Sequence, residues 1–154
     1  MPTSHRASLD SIRSFLVALD DSEAARNALA VACELAKRTR AHVAALHVIE
    51  VPRALPLDAE LATELEHGES IMRDAEALAG KYDVRLNGQI LQARNAGAAV
   101  VDEAAALGAD AIVLGLDYHR PYGRFELGQL PLYVLENARC QVWIIRYPPG
   151  GTAG

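Results

Sequence analysis

The chain has 154 residues, 51% hydrophobic but only 5% aromatic, with a formal net charge of −5. That length holds one domain able to bury about 70% of its unfolded surface, in a core that Ala, Val, Ile and Leu must build, which suits helices on a sheet better than an aromatic-rich all-β design. The acidic balance, with no basic stripe, argues against nucleic acid as a partner.

In chain order, residues 1–13 are polar and read as a flexible arm whose sequence, MPTSHRASLDSIR, has no apolar signal-peptide core. FLVAL (15–19) is a continuous apolar run, the pattern of a strand buried on both faces. SEAARNALAVACELAKRTR (22–40) is helical: Ala25, Leu29, Cys33 and Ala36 share a face, and Lys37, Arg38 and Arg40 complement the dipole at its end. HVAALHVI (42–49) is a second strand. From Leu57 to Gly80, Leu61, Leu65, Ile71, Met72, Ala75 and Leu78 fall at helical spacing, with Gly80 the expected C-cap. The seven acidic residues and one arginine of this segment form a solvated face, an acidic docking surface being the alternative.

DVRLNGQILQAR (83–94) holds a third strand; Asn87-Gly88 is compatible with a hairpin turn, but the runs beside it are short for one. AGAAVVDEAAALG (96–108) is an alanine-rich helix closed by Gly108, and ADAIVLGL (109–116) a fourth strand. QLPLYVLENA (129–138) is a short helix with Pro131 in its first turn, QVWIIR (141–146) the last strand, and YPPGGTAG (147–154) a flexible tail that continues neither. No apolar run approaches the roughly 20 residues that cross a bilayer, so no membrane partner and a cytoplasmic location are expected.

Strand and helix thus alternate along 14–146. Such alternation implies one open parallel α/β sheet with helices on both faces, joined by right-handed crossovers. Ligands of these sheets lie beyond the carboxyl ends of the strands, where strand order reverses. The places to search are Asp20-Asp21-Ser22, Glu50-Val51 and the loop opening at Gly115.

In ALDDSEAA, Asp21 or Ser22 caps the following helix, worth about 1 kcal/mol. That role does not use Asp20, which stands at the strand end where a ribose or base edge would donate hydrogen bonds to it. An acidic pair here also opens metal-dependent phosphoacceptor receiver domains, which need a further Asp after the third strand and a Lys after the fifth. The third strand ends in QARN, the last in IIRYPP, and Lys37 and Lys81 are the only lysines, so that reading fails. His47 in LHVIE reads as a satisfied core or strand-end histidine, and His5, His42, His67 and His119 lack metal-site spacing. Cys33 and Cys140 read as small buried hydrophobes. There is no GxSxG elbow, no GxxxxGK[ST] loop and no GxGxxG after the first strand, and nothing assembles into a catalytic set.

LGLDYHRPYGRFELGQ (114–129) remains. Its outer glycines let backbone approach an anion, and the next helix offers N-terminal amides. Arg120 and Arg124 add positive charge that Asp117 and Glu126 offset. On spacing alone, a plain surface connection is the simpler reading.

Taken in order, these segments resemble the universal stress protein family. FLVALDDSEAARNALAVACELAKR is similar to its first strand and helix, ALHVIE to its second strand, GADAIVLG to its fourth, and GQLPLYVLENARCQVWIIR to its closing helix and strand, across roughly 14–146. The resemblance implies a Rossmann-like, adenine nucleotide alpha hydrolase-like fold: five parallel strands in the order 3-2-1-4-5, with Asp20 beside Gly115 at the reversal. It implies a homodimer through the last strand, Gln141–Arg146, whose apolar edge with Trp143 needs covering. It further implies a non-enzymatic module of stress response or regulation, with ATP or another adenine nucleotide as the ligand to test and no metal cofactor.

The family's base and ribose contacts fall on Ala18, Asp20 and Val48. Its ATP-binding signature is Gly, two residues, Gly, nine residues, then Gly followed by Ser or Thr. Gly115 and Gly128 occupy the first and third glycines; Tyr118 stands at the second, Gln129 at the Ser/Thr, and Leu130 follows as a further site residue. Tyr118 puts a ring where backbone should meet phosphate, with ~1–2 kcal/mol more if the position is left-handed. Gln129 lacks the short hydroxyl. A loss of ~3 kcal/mol, about a hundredfold, is expected for the phosphate half beside a better-kept adenosine half. The alternative is a working sensor of ATP or AMP in the crevice of Asp20, Gly115 and Gly128. An ATP-using enzyme of the same class is disfavoured, because those place a glycine-rich loop after the first strand, where this chain has DDSE.

Overall fold

The computed structural model describes residues 11–118, 123 and 125–148. The expected flexible arm and tail lie outside the described residues, apart from 11–13 and 147–148. The elements are β1 (Ser14–Ala18), α1 (Glu23–Thr39), β2 (His42–Glu50), α2 (Ala62–Lys81), β3 (Leu86–Ala93), α3 (Ala96–Leu107), β4 (Ala111–Gly115), α4 (Gln129–Asn137) and β5 (Gln141–Ile145). All pairings are parallel, in the order β3-β2-β1-β4-β5.

β1 lies in the middle, with Leu16 paired to Ala44 on one side and Ile112 on the other. Its side chains alternate between faces. Phe15 and Val17 join the layer built with α1 and α2, whereas Leu16 joins the layer built with α3 and α4. That is why the strand reads as an unbroken apolar run. α1 approaches the sheet closely because its inner face is mostly alanine, with Ala28 and Ala32 fully buried. Cys33 lies in the same layer, and burial pushes its thiol up to about 11; burial raises Cys140 as well.

The second helix differs from the sequence expectation at both ends. It starts at Ala62 rather than Leu57, because 52–59 is drawn into turns: Leu55 N–H donates to Pro52 O at 3.0 Å and Ala59 N–H to Pro56 O at 3.0 Å. Gln92 Nε2 donates to the carbonyls of Leu57 and Ala59 at 2.8 and 3.1 Å, and Arg94 Nη1 to those of Pro52 and Leu55 at 2.6 and 2.8 Å. These carbonyls are therefore engaged by β3 and the residue after it rather than by a helical turn. Leu65, expected on the inner stripe, is exposed; the stripe is Gly68, Ile71, Met72, Ala75 and Ala79. At the far end Gly80 sits inside the helix, and Asp83 takes the left-handed position at φ 56°. Val84 N–H reaches Ala79 O at 3.0 Å and Asp83 N–H reaches Gly80 O at 3.1 Å, the Schellman pattern. All seven acidic residues of 57–80 are exposed, as a solvated face requires.

Asn87-Gly88 is not a turn. Both residues lie in β3, opposite Ala44 and Ala45, and a Cβ at Gly88 would stand 2.3 Å from Met72 Sδ, so the glycine makes room for α2. Trp143 of the edge strand β5 turns inward and meets Phe15 edge-on, with ring centroids 5.3 Å apart. Its ring is thus partly covered by the core, and β5 also leaves its backbone edge open. Among the described residues no helix is long and apolar enough to cross a membrane.

Candidate functional site

At the reversal of strand order the chain leaves β1 for α1 on one face and leaves β4 for α4 on the other, so the carboxyl ends of β1 and β4 part. Two adjoining cavities fill the gap. One, of about 280 Å³, is walled by Ala25, Gly115, Asp117, Glu126, Leu127 and Gly128. The other, of about 240 Å³, is walled by Leu46, His47, Val48, Glu50, Ala96 and Val100. Ala18, Leu19, Asp20 and Leu130 line both, so they form the waist of one two-lobed crevice. A third cavity, of about 410 Å³, lies between α3 and α4 at the other end of the sheet, around Ala109 and Cys140.

The start of α1 is built by its own sequence. Ser22 is the N-cap, its hydroxyl accepting from Ala25 N–H at 3.1 Å. That hydroxyl in turn donates to Asp20 Oδ1, which also accepts Ser22 N–H at 2.8 Å. Asp20 therefore shares in the cap, a role the sequence alone did not give it, while its side chain lines both lobes. Asp21 does neither: its carboxylate faces His67 Nε2 at 3.3 Å and ties the loop to α2. His47 is a half-buried histidine inside β2, paired across to Ile90 of β3, with Nδ1 2.8 Å from Leu19 O. Glu50 Oε2 accepts Ala96 N–H at 2.8 Å, beside the N-cap Asn95, whose Oδ1 accepts Ala98 N–H at 2.9 Å, so it helps fix the start of α3. Val51 is buried, with its N–H on Ala93 O at 2.9 Å.

Gly115 and Gly128 are glycines for different reasons. A Cβ on Gly115 would lie 2.0 Å from Ala24 O and 2.2 Å from Ala24 C, so its absence lets the first turn of α1 lie across β4. The close approach here is to a helix, where sequence reasoning expected an anion. Gly128 is the N-cap of α4 at φ 89° and ψ 165°, a conformation essentially confined to glycine. α4 has no side-chain cap there, and its start borders the larger lobe through Gly128, Leu130 and Pro131.

Tyr118 and Gln129 line neither lobe. Among the described residues only Arg40 and Asp83 are non-glycines at positive φ, so Tyr118 does not incur a left-handed penalty. Its ring lies 5.5 Å from that of Phe125, and the Arg146 guanidinium stands 5.0 Å from the first and 5.6 Å from the second. This stack joins the loop to the end of β5, as does Leu116 N–H on Ile145 O at 2.9 Å. Gln129 is exposed. Arg120, Arg124 and His119 lie outside the described residues. Sequence reasoning missed the Arg146 contact and the lining roles of Leu116 and Leu127; the pair Tyr118 and Phe125 in one loop was the available hint of an aromatic contact.

Comparison with known proteins accords with this architecture. The family model described as Universal stress protein family matches residues 11–146. A universal stress protein of Methanocaldococcus jannaschii is 27% identical over 142 residues, covering 88% of this chain and 83% of its own. A universal stress protein from Archaeoglobus fulgidus superposes with a TM-score of 0.73 at 21% identity, over 85% of this chain and 96% of its own. One from the same organism in complex with dAMP gives 0.68 at 19% identity, over 85% and 95%. The same fold was solved with AMP in a family protein of Arabidopsis thaliana and with cAMP in a further universal stress protein, at TM-scores of 0.65 and 0.70.

Proposed function

The chain belongs to the universal stress protein family, and on that premise we propose that it is a non-enzymatic, cytoplasmic stress-response module whose two-lobed crevice binds an adenine nucleoside or nucleotide. One observation carries the reading: Asp20 stands at the waist of a crevice at the switch point of the sheet, with the uncapped start of α4 at its far wall. The smaller lobe, apolar through Leu46, Val48 and Val100, suits a base. Asp20 suits the ribose hydroxyls, and the α4 amides suit a phosphate. The two lobes together fall in the range of about 300–1,000 Å³ usual for small-ligand pockets. Relatives of the same fold hold dAMP, AMP and cAMP, which supports this class of ligand. The Ser22 hydroxyl serves the helix cap and His47 the Leu19 carbonyl, which favours binding over covalent chemistry.

Calorimetry with adenosine and AMP tests the proposal. Asp20→Ala weakens binding by about tenfold or more, the loss of charge-assisted hydrogen bonds. Asp21→Ala, whose carboxylate faces His67 and lines neither lobe, keeps it. No heat from folded wild-type protein at millimolar ligand would reject the reading.

The same proposal includes a homodimer through Gln141–Arg146. The open edge of β5 supports it, as do the adjacent α4 leucines Leu132 and Leu135, both about half exposed. Sedimentation equilibrium reads a dimer in the micromolar range if this holds and a monomer if it does not.

A further inference from the structure

Asp20 enters the crevice with one of its two carboxylate oxygens already engaged. Oδ1 accepts the Ser22 N–H at 2.8 Å and the Ser22 hydroxyl, whereas Oδ2 carries no hydrogen bond among the described residues. Ser22 lines the larger lobe beside it, but the single proton of its hydroxyl goes to Asp20, and its oxygen accepts Ala25 N–H at 3.1 Å. A hydroxyl that accepts one hydrogen bond while donating another is polarised and donates more strongly. Ala25 lies in the first turn of α1 and is 3% exposed. The chain of hydrogen bonds from Ala25 through Ser22 to Asp20 therefore ties the carboxylate of an exposed residue to a buried helix face.

We infer that Ser22 is a positioning residue for the sugar: its hydroxyl holds the Asp20 carboxylate in one orientation and leaves Oδ2 as the acceptor for a ribose hydroxyl. This rests on the adenine reading above and adds how the sugar is selected. An exposed aspartate held by nothing turns among several rotamers, and a ligand that has to stop that motion binds more weakly. One already fixed accepts the ribose without that cost, so the gain falls on ligands that carry a sugar. The bare base gains nothing, because the smaller lobe that suits it is not lined by Ser22. A helix cap alone would act differently, raising folding stability without sorting ligands by their sugar.

Calorimetry of the whole chain with adenosine and with adenine tests this in wild type, S22G, S22T, D20A and D20A/S22G. Wild type prefers adenosine to adenine. S22G, whose glycine caps a helix almost as well as serine, lowers that preference about threefold to tenfold and leaves adenine binding unchanged. S22T, which keeps a hydroxyl, keeps the preference. In D20A the preference is already lost, and adding S22G changes it no further, the non-additivity of two residues that act as one unit. Equal loss of adenosine and adenine in S22G, no loss in S22G, loss of the preference in S22T, or additive losses in D20A/S22G each overturn the inference while leaving the adenine reading intact. Equal binding of adenosine and adenine by wild type does the same. Binding of neither removes the adenine reading and this inference with it.

Discussion

Gly115→Ala is expected to cost at least about 3 kcal/mol of folding stability, at the upper end for overpacking a core. The new Cβ would stand 2.0 Å from Ala24 O, 2.2 Å from Ala24 C and 2.7 Å from Ala25 N. All three are backbone atoms, so no rotamer change relieves the clash. Either α1 lifts from β4 or β4 shifts in the sheet. Lifting α1 opens a layer in which Ala25, Ala28 and Ala32 are at most 3% exposed, and close-packed interiors resist such gaps. Shifting β4 disturbs its pairing with β1 at Val17 and Val113, directly beneath the crevice. Guanidinium unfolding reads the loss, and a change within about 0.5 kcal/mol would show that α1 does not approach β4 as described.

Gly128→Ala acts by a different route. Nothing closer than Pro131 Cδ at 3.8 Å meets a Cβ there, so the penalty is conformational. At φ 89° and ψ 165° it amounts to about 1–3 kcal/mol. Part of that strain is relieved by re-aiming the start of α4, which moves the amides bordering the larger lobe. The expected result is lower stability together with weaker ligand binding, read by unfolding and calorimetry on the same preparation. An alanine variant as stable as wild type would contradict the backbone conformation at Gly128.

The alternation of elements was legible because parallel strands and amphipathic helices have different periods, and FLVAL and SEAARNALAVACELAKR carry them cleanly. The spacing of Gly115 and Gly128 was legible too. Its cause was not, because the reason for Gly115 is Ala24, a residue brought there only by the crossing of α1 over β4. Likewise the apolar pattern of α2 extends back to Leu57, but Gln92 and Arg94 hold that segment in turns. Local periodicity contains no trace of hydrogen bonds from so far along the chain. Asp83 in place of Gly80 shows the same limit at the other end: Asp tolerates the left-handed position, so the cap left no glycine to read.

Tyr118 is the instructive position in the site. Read along the chain, it obstructs a phosphate loop. In the fold its ring packs with Phe125 beneath Arg146, outside both lobes. Asp117 and Glu126 were legible as an offset to Arg120 and Arg124, but only the cavity placed them on its wall.

The most direct test is amide shift mapping of isotope-labelled protein titrated with adenosine and AMP. Perturbations are expected at Ala18–Asp20, Val48, Gly115 and Gly128–Leu130, and small ones around Cys140 between α3 and α4. Perturbations confined to that second groove, or none at saturating ligand, would contradict a binding crevice between β1 and β4.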